Sequence, residues 1–247
     1  MIHIEDDLPV RRLVIDRPEK ANALSMAMLH DLAEGIRSAP QAGAAAVVLS
    51  GAGSKSFCAG AELSDLAPAT RHAQYELLKQ VVAAFAESTI PIITLVHGRT
   101  LGAGCAFAAL SDIVTARDDA ILGFPEMRFG MYPALVHAIL VEKLPAQLVY
   151  QIGLSGRDLD APAALALGLI TEAVSAADFA DSAAARVAYY IDRLPAVVIG
   201  RDLCRASRGD GLLQRVAAAE AILDSNLEEP TTRKLFDEWM QLMSRRH

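Results

Sequence analysis

The sequence predicts an α/β fold, in which a sheet is connected by crossover helices and followed by a helical C-terminal region. Two observations predict it. Short apolar runs typical of strands alternate with stretches of helical periodicity through the first two thirds of the chain, and Ala-rich helical stretches dominate after about Val136. No internal repeat or low-complexity linker interrupts the 247 residues, and a chain of this length can bury a sizeable core without disulfides.

The first elements are a strand, a helix and a strand. Residues 10–15 form an apolar run that ends at a turn signal, Asp16-Arg17-Pro18, which predicts a strand. Ser25 stands where a helix N-cap is expected, and apolar residues recur at helical spacing from there to Pro40. Residues 45–49 form the next predicted strand, which runs into a loop rich in glycine and serine.

The middle of the chain continues the alternation. Residues 71–87 place apolar side chains every three or four positions, as in an amphipathic helix. Residues 90–96 are predicted to be a strand, and the small, apolar segment 98–110 is expected to be a helix packed against the sheet. Residues 113–115 and 121–124 supply further short strands.

The last part of the chain is predicted to be helical. Four stretches show helical periodicity, and prolines mark their boundaries: 161–167, 178–191, 212–223 and 232–243, with Pro145, Pro162, Pro195 and Pro230. We therefore divide the chain into an α/β core over residues 1–190 and a C-terminal helical region over residues 191–247.

Composition excludes several classes of function. The net charge is −7 with no basic run, so nucleic acid is not an expected partner. No window has the roughly 18–20 apolar residues of a membrane span, and the N-terminus does not resemble a signal peptide. Three widely spaced cysteines, Cys58, Cys105 and Cys204, fit neither a zinc site nor a disulfide framework. We expect a cytoplasmic location and no bound metal.

Two glycine-containing turns follow predicted strands, but neither fits a nucleotide-binding motif. The third glycine of a dinucleotide fingerprint would fall at Ser56 after the turn 51–53 and at Phe107 after the turn 102–104. No Walker-type lysine follows either turn, and the GxSxG motif of serine hydrolases is missing. His97 and His137 are interpreted as structural histidines, because no serine or cysteine is suitably placed beside them.

Small residues are concentrated at two places, 58–61 and 102–104, each expected at the end of a strand and the start of a helix. Such positions expose unpaired backbone N–H groups. Two donors that converge on one oxygen would form an oxyanion hole. The alternative is that small residues there only allow a helix to pack closely on the sheet, and either turn alone leaves that alternative open.

Several motifs together resemble the crotonase (enoyl-CoA hydratase/isomerase) superfamily. They occur in the family's order at 17–24 (RPEKANAL), 57–63 (FCAGAEL), 96–105 (VHGRTLGAGC), 111–112 (SD) and 124–126 (FPE). The resemblance extends over essentially the whole chain. It implies a ClpP/crotonase spiral of ββα units, with a C-terminal helical region that forms homotrimers or hexamers made of two trimers.

The resemblance also implies a chemistry. An acyl-CoA thioester would bind in an extended cleft, with its carbonyl oxygen held by the backbone N–H groups of Ala61 and Ala103 while an enolate forms at the neighbouring carbon. Fixed backbone dipoles suit this task because they need no reorganisation as charge develops. No separate cofactor is implied, since coenzyme A is part of the substrate, and fatty acid metabolism is the expected setting.

The catalytic carboxylates depart from the family's pattern. Hydratases of the family place two glutamates around the reacting carbons, and the matching positions here are Ala106 and Glu126. One carboxylate can move a proton from C2 to C4, so Glu126 alone favours double-bond isomerisation. Residues 126–134 resemble methylglutaconyl-CoA hydratase relatives, which keeps hydration by one glutamate open.

Other interpretations remain. A decarboxylase or hydrolase of the same family uses the same oxyanion hole, and loss of the first glutamate is also compatible with a non-catalytic acyl-CoA binding protein. Without the resemblance, Glu126 would be interpreted as a surface carboxylate paired with Arg128 or another base.

The resemblance assigns coenzyme A to backbone and to nearby cations. The implied binding residues are Lys20, Ala21, Ala23, Ala59, Gly60 and Leu63, with Arg17 as a second cation. Ser64 stands where relatives often carry a phosphate-binding lysine, so Lys234 with Phe236 is proposed as a substitute.

Overall fold

The computed structural model describes residues 1–208 and 211–244. Residues 209, 210 and 245–247 of the predicted C-terminal region therefore lie outside the described residues. Within the described ranges the strands are β1 Ile2–Asp7, β2 Val10–Ile15, β3 Ala46–Gly51, β4 Ser56–Cys58, β5 Ile92–Val96, β6 Arg99–Leu101, β7 Ile113–Arg117, β8 Ile121–Gly123, β9 Leu159–Asp160 and β10 Glu172–Val174. The α-helices are α1 Met26–Arg37, α2 Arg71–Glu87, α3 Ala103–Leu110, α4 Ala134–Leu140, α5 Ala146–Ser155, α6 Ala161–Leu167, α7 Phe179–Ile191, α8 Leu194–Arg208, α9 Leu212–Glu228 and α10 Pro230–Ser244.

The strands form two sheets, as expected for an α/β fold. The larger has the order β1-β2-β3-β5-β7-β10 and is parallel apart from the antiparallel β1–β2 pair. The smaller has the order β4-β6-β8-β9 and is parallel apart from β8–β9. Strands β3, β5 and β7 of the larger sheet alternate along the chain with β4, β6 and β8 of the smaller one. Because β4 and β6 are parallel neighbours, their carboxyl ends lie side by side.

The helix predicted to begin after Ser25 is confirmed as α1. Ser25 is the N-cap, and its hydroxyl accepts a hydrogen bond from the Met28 N–H at 3.4 Å. The predicted apolar positions, Met28, Leu29, Leu32 and Ile36, are all buried. The predicted strand 10–15 and the predicted helices 71–87 and 161–167 also match the structure.

Several elements differ from the predictions, among them the short strands β9 and β10, which lie in the region predicted to be helical. The segment 98–110 is strand β6 followed by helix α3, because Gly102 breaks the run at φ 50°. Strand β1 was not predicted, since it is an edge strand in which only Ile2 is buried. Residues 58–61 are followed by a 3-10 helix, Leu63–Leu66, and not by an α-helix.

The C-terminal helices cover two different surfaces of the core. Apolar side chains of α7 and α8, among them Val187 and Val197, pack on one face of the large sheet against Val48 and Ile93. The buried Arg201 fixes α8 through its Nε, 3.2 Å from Asp112 Oδ2.

Helix α9 packs into the main core, where a row of its apolar residues is buried within the same chain: Leu212, Val216, Ala219, Leu223 and Leu227. These residues are thus buried without a second subunit, and trimer formation remains a prediction. Across the described ranges, none of the helices combines the length and apolar character that a membrane crossing needs.

Candidate active site

A mostly apolar cavity of about 120 Å³ lies where the carboxyl ends of β4 and β6 meet α2, α4 and α9. It can hold several waters or the first carbons of an acyl chain. Its lining includes the small residues singled out from the sequence together with Glu126: Ala59, Gly60, Ala61, Gly102, Ala103 and Ala106.

Two glycines bring the small segments close together. Gly60 has φ 99° and Gly102 has φ 50°, conformations that favour glycine. A Cβ on Gly60 would lie 3.2 Å from the Leu101 carbonyl oxygen and 3.5 Å from the Ala103 nitrogen. The backbone nitrogen of Ala103 therefore lies close to Gly60, the residue before Ala61, although the two are far apart in the sequence.

The amides of Ala61 and Ala103 are both available to a ligand. Leu24 N donates to Gly60 O and Glu62 N donates to Leu24 O, each at 2.9 Å, so the Ala61 N–H points away from Leu24. Ala103 is the first residue of α3, where no intrahelical acceptor exists. Neither N–H has an acceptor among the described residues. This is the property that an oxyanion hole requires.

Glu126 lies beside these amides, in the 3-10 helix Pro125–Phe129. A Cβ on Gly102 would lie 3.3 Å from Glu126 Oε1. Part of the side chain faces the cavity, but Oε2 is sealed from solvent and has no hydrogen-bond partner among the described residues. Burial raises the pKa of this carboxyl to about 7, against a smaller lowering by its own backbone N–H.

The interpretation of Glu126 as a surface carboxylate paired with Arg128 is wrong. Arg128 is exposed, and its Nη2 lies 3.3 Å from Asp158 Oδ1. Among the described residues that line the cavity, Glu126 is the one with a carboxylate. Ala106, where a second glutamate would stand, is buried and lies one helical turn after Ala103.

Helix α9 fixes the loop that follows Glu126. Tyr132 N donates to Asn226 Oδ1 at 2.9 Å, and Asn226 Nδ2 donates to Thr232 Oγ1 at 3.1 Å. Thr232 Oγ1 in turn donates to Gly130 O at 3.0 Å. These residues were not found from the sequence, because they act through contacts about a hundred residues apart in the chain.

The structure groups some of the predicted coenzyme A residues and separates others. Ala59, Gly60 and Leu63 line the cavity. Ala59 N donates to Ala21 O at 3.1 Å, and Ala21 lines a second cleft beside the turn 52–56. Ala23 O accepts a hydrogen bond from Arg17 at 3.2 Å.

The cations are placed differently. Lys20 is exposed next to the second cleft, whereas Arg17 is held by Glu62 at 2.7 Å and is less free to meet a phosphate. Lys234 is exposed on α10, 3.9 Å from Glu238. Phe236 packs behind Phe129, with ring centroids 5.9 Å apart, and is not part of the described cavity lining. The structure therefore does not bring Lys234 and Phe236 to the site.

The remaining reactive side chains have structural surroundings. The buried Cys105 Sγ donates to Thr100 O at 2.9 Å, and Cys58 Sγ accepts from Gly60 N at 3.4 Å. Burial lowers the pKa of His97, and His137 Nδ1 lies 2.6 Å from Tyr132 Oη. Residues 1–208 and 211–244 contain no group of three or more His, Cys, Asp or Glu side chains arranged to hold a metal ion.

Comparison with known proteins identifies the family. The family model described as enoyl-CoA hydratase/isomerase matches residues 8–232. The human enoyl-CoA hydratase domain-containing protein 3, mitochondrial, is 27% identical over 198 residues, which cover 78% of this chain and 65% of that protein. The probable enoyl-CoA hydratase echA6 of Mycobacterium bovis is 34% identical over 131 residues, or 53% of each chain. This chain thus spans between about half and two thirds of the length of these relatives.

A solved structure is similar over nearly the whole chain. The crystal structure of an enoyl-CoA hydratase/isomerase from Xanthobacter autotrophicus Py2 superposes with a TM-score of 0.82 at 28% identity, covering 96% of this chain and 91% of that one. Fold and sequence together define the class as crotonase-like. This chain belongs to the enoyl-CoA hydratase/isomerase family.

Proposed function

We propose that this protein is an acyl-CoA enzyme that uses Glu126 as its single acid/base and the backbone N–H groups of Ala61 and Ala103 as an oxyanion hole. The observation that carries the proposal is that the Ala103 amide and the Glu126 carboxylate both lie next to Gly102. Gly102 precedes the free Ala103 amide and lies against the Glu126 carboxylate. A thioester oxygen on the two amides would place its neighbouring carbons beside Glu126.

The chemistry follows from the charges involved. Removal of a proton from C2 of a 3-enoyl thioester by the Glu126 carboxylate leaves an enolate whose charge is on the thioester oxygen. Each N–H donor at such an oxygen contributes about 10²–10³ in rate. The same carboxyl, now protonated, returns the proton at C4 and completes the isomerisation. A pKa near neutrality allows Glu126 to serve first as base and then as acid.

Hydration by one glutamate uses the same groups. Glu126 would deprotonate a water that attacks C3 of a 2-enoyl thioester, and the same carboxyl would then give that proton to C2 of the resulting enolate. A second carboxylate would help to hold that water, and the apolar Ala106 offers none. The site therefore supports isomerisation better than hydration.

The test compares 3-enoyl-CoA and 2-enoyl-CoA thioesters as substrates of the wild-type protein and of Glu126→Gln. We expect double-bond migration with the wild type and a loss of at least about 10²-fold in Glu126→Gln. Glu87→Gln, an exposed position on α2, is the matched control and should retain activity. Equal turnover by wild type and Glu126→Gln would refute the role of Glu126, and thioester binding without turnover would indicate a non-catalytic binding protein.

Two expectations about partners complete the proposal. Arg17 and Lys20 are adjacent in the chain to Pro18 and Ala21, which line the second cleft, and they are the cations expected near the phosphates of coenzyme A. A homotrimer or hexamer is expected from the family, and light scattering of the purified protein measures it directly.

A further inference from the structure

Tyr132 lies between the cavity beside Glu126 and a larger, open cleft. This outer cleft has a volume of about 710 Å³, and its lining includes Met127, Leu154 of α5 and Ile222 of α9. Among the described residues, Tyr132 is the one that lines both the outer cleft and the cavity. Its side chain is half-buried, as expected for a group that faces both spaces.

The wall between the two spaces is thin at this point. Gly130 lines the outer cleft, whereas Met131 lines the cavity, so the chain passes from one space to the other immediately before Tyr132. The same change occurs on α9, where Ile222 lines the outer cleft and Leu223 lines the cavity. The two spaces are therefore separated by a wall about one residue thick.

The side chain of Tyr132 is held in place by contacts with three helices. Its Oη lies 2.6 Å from His137 Nδ1 of α4, and its backbone N–H donates to Asn226 Oδ1 of α9 at 2.9 Å. On α5, a Cβ on the buried Gly153 would lie 3.1 Å from both Cε2 and Oη of Tyr132. Glycine is unfavourable inside a helix, and here it leaves the room that the ring occupies. The ring is thus a fixed part of the wall.

This part of the wall lies apart from the proposed reacting groups. The contacts of Tyr132 are with α4, α5 and α9, whereas the amides of Ala61 and Ala103 follow β4 and β6. An acyl chain whose thioester oxygen is on those amides would extend into the apolar cavity, where each buried CH₂ improves binding about fourfold. That improvement stops where the chain meets the wall.

We propose that the ring of Tyr132 sets the length of the acyl chain that this protein accepts. The ring closes the cavity of about 120 Å³ toward the outer cleft, so the substrate carries a short acyl chain. The inference deepens the proposed function, because it assumes that an acyl-CoA thioester occupies the cavity. It adds a specificity that depends on Tyr132 and not on Glu126.

The experiment measures binding without turnover. Saturated butanoyl-, hexanoyl-, octanoyl- and decanoyl-CoA are titrated by calorimetry into the wild-type protein and into Tyr132→Ala, which joins the cavity to the outer cleft. We expect the affinity of the wild type to stop rising before decanoyl-CoA. In Tyr132→Ala the rise should continue, so that decanoyl-CoA binds at least about tenfold more tightly than it does to the wild type.

Three further variants make the outcome decisive. Tyr132→Phe keeps the ring and should keep the wild-type limit. Tyr189→Ala makes the same change as Tyr132→Ala at an exposed tyrosine of α7 that lines neither space, and it should also keep the limit. If Tyr132→Ala does not fold, Tyr132→Leu, with a shorter apolar side chain, should shift the limit in the same direction.

Three results would overturn the inference. They are an affinity of the wild type that rises through to decanoyl-CoA, an unchanged dependence on chain length in the folded Tyr132→Ala or Tyr132→Leu, and the same shift in Tyr132→Phe or Tyr189→Ala. Any of these, together with turnover that depends on Glu126, overturns the chain-length limit alone. Binding of no acyl-CoA thioester overturns both this inference and the proposed function.

Discussion

Replacement of Glu126 by glutamine should remove the loss of stability that the wild type shows as the pH rises, and it should also remove activity. The buried carboxyl has a pKa of about 7, against 4.5 for an ordinary glutamate. Between these values the folded state binds more protons than the unfolded state, so stability falls as the pH rises. The full pKa shift corresponds to a loss of about 3 kcal/mol in the free energy of unfolding between about pH 5 and about pH 8. This figure is an upper bound, because part of the side chain faces the cavity.

Urea unfolding at about pH 5 and about pH 8 measures this effect. Glu126→Gln does not titrate, so its stability relative to wild type should rise by up to about 3 kcal/mol between the two pH values. Taking the difference between pH values cancels the constant cost of an unpaired amide at that position. Parallel pH profiles for the wild type and Glu126→Gln would refute the assignment of a buried, proton-holding Glu126, and Glu87→Gln should follow the wild type.

The same carboxyl gives the pH dependence of activity. A base must be ionised before it can take a proton, so kcat/KM should rise with pH to a plateau above about 7. The rise in kcat/KM is expected over the same pH range in which the wild type loses stability, because both changes report the ionisation of Glu126. A rising limb near the ordinary glutamate pKa of 4.5 would contradict the raised value.

Three other substitutions test the remaining parts of the site. Ala103→Pro removes one oxyanion donor, and proline is tolerated there because Ala103 is the first residue of its helix. Steady-state kinetics should show kcat/KM at least about 10²-fold lower. The control Ala103→Ser keeps the N–H and should stay active. Ala106→Glu should raise the ratio of hydration to isomerisation products measured by chromatography, and Ala106→Gln, equal in size but uncharged, should not. Asn226→Ala removes the acceptor for Tyr132 N, and urea unfolding should show about 1–3 kcal/mol lower stability; an unchanged midpoint would argue against the anchoring role.

Local patterns made much of the fold predictable. Ser25 and the apolar spacing after it define α1 without any other part of the chain, and the periodicity of α2 is equally self-contained. The small residues around Gly60 and Gly102 were found because close approach requires them. Their joint role at one thioester oxygen came from the family resemblance and remains a prediction.

Features that depend on distant contacts were not predictable. Strand β1 is held by pairing with β2, and Ile2 is its one buried residue. Gln74 lies on the buried face of α2 because its Nε2 donates to the carbonyl oxygen of Glu62 at 2.8 Å, a contact that local periodicity does not predict. Asn226 gives no sequence signal, because its role depends on where α9 packs.

The position of α9 changes how the two predicted regions relate to function. A boundary at residue 190 separates Glu126 from Val216 and Leu223, yet all three line one cavity. Through Asn226 the same helix holds the loop that follows Glu126. Because a ligand in the cavity would contact residues on both sides of the boundary, it would favour the state in which α9 is docked. The C-terminal region is therefore part of the candidate site in this chain, in addition to any role in assembly.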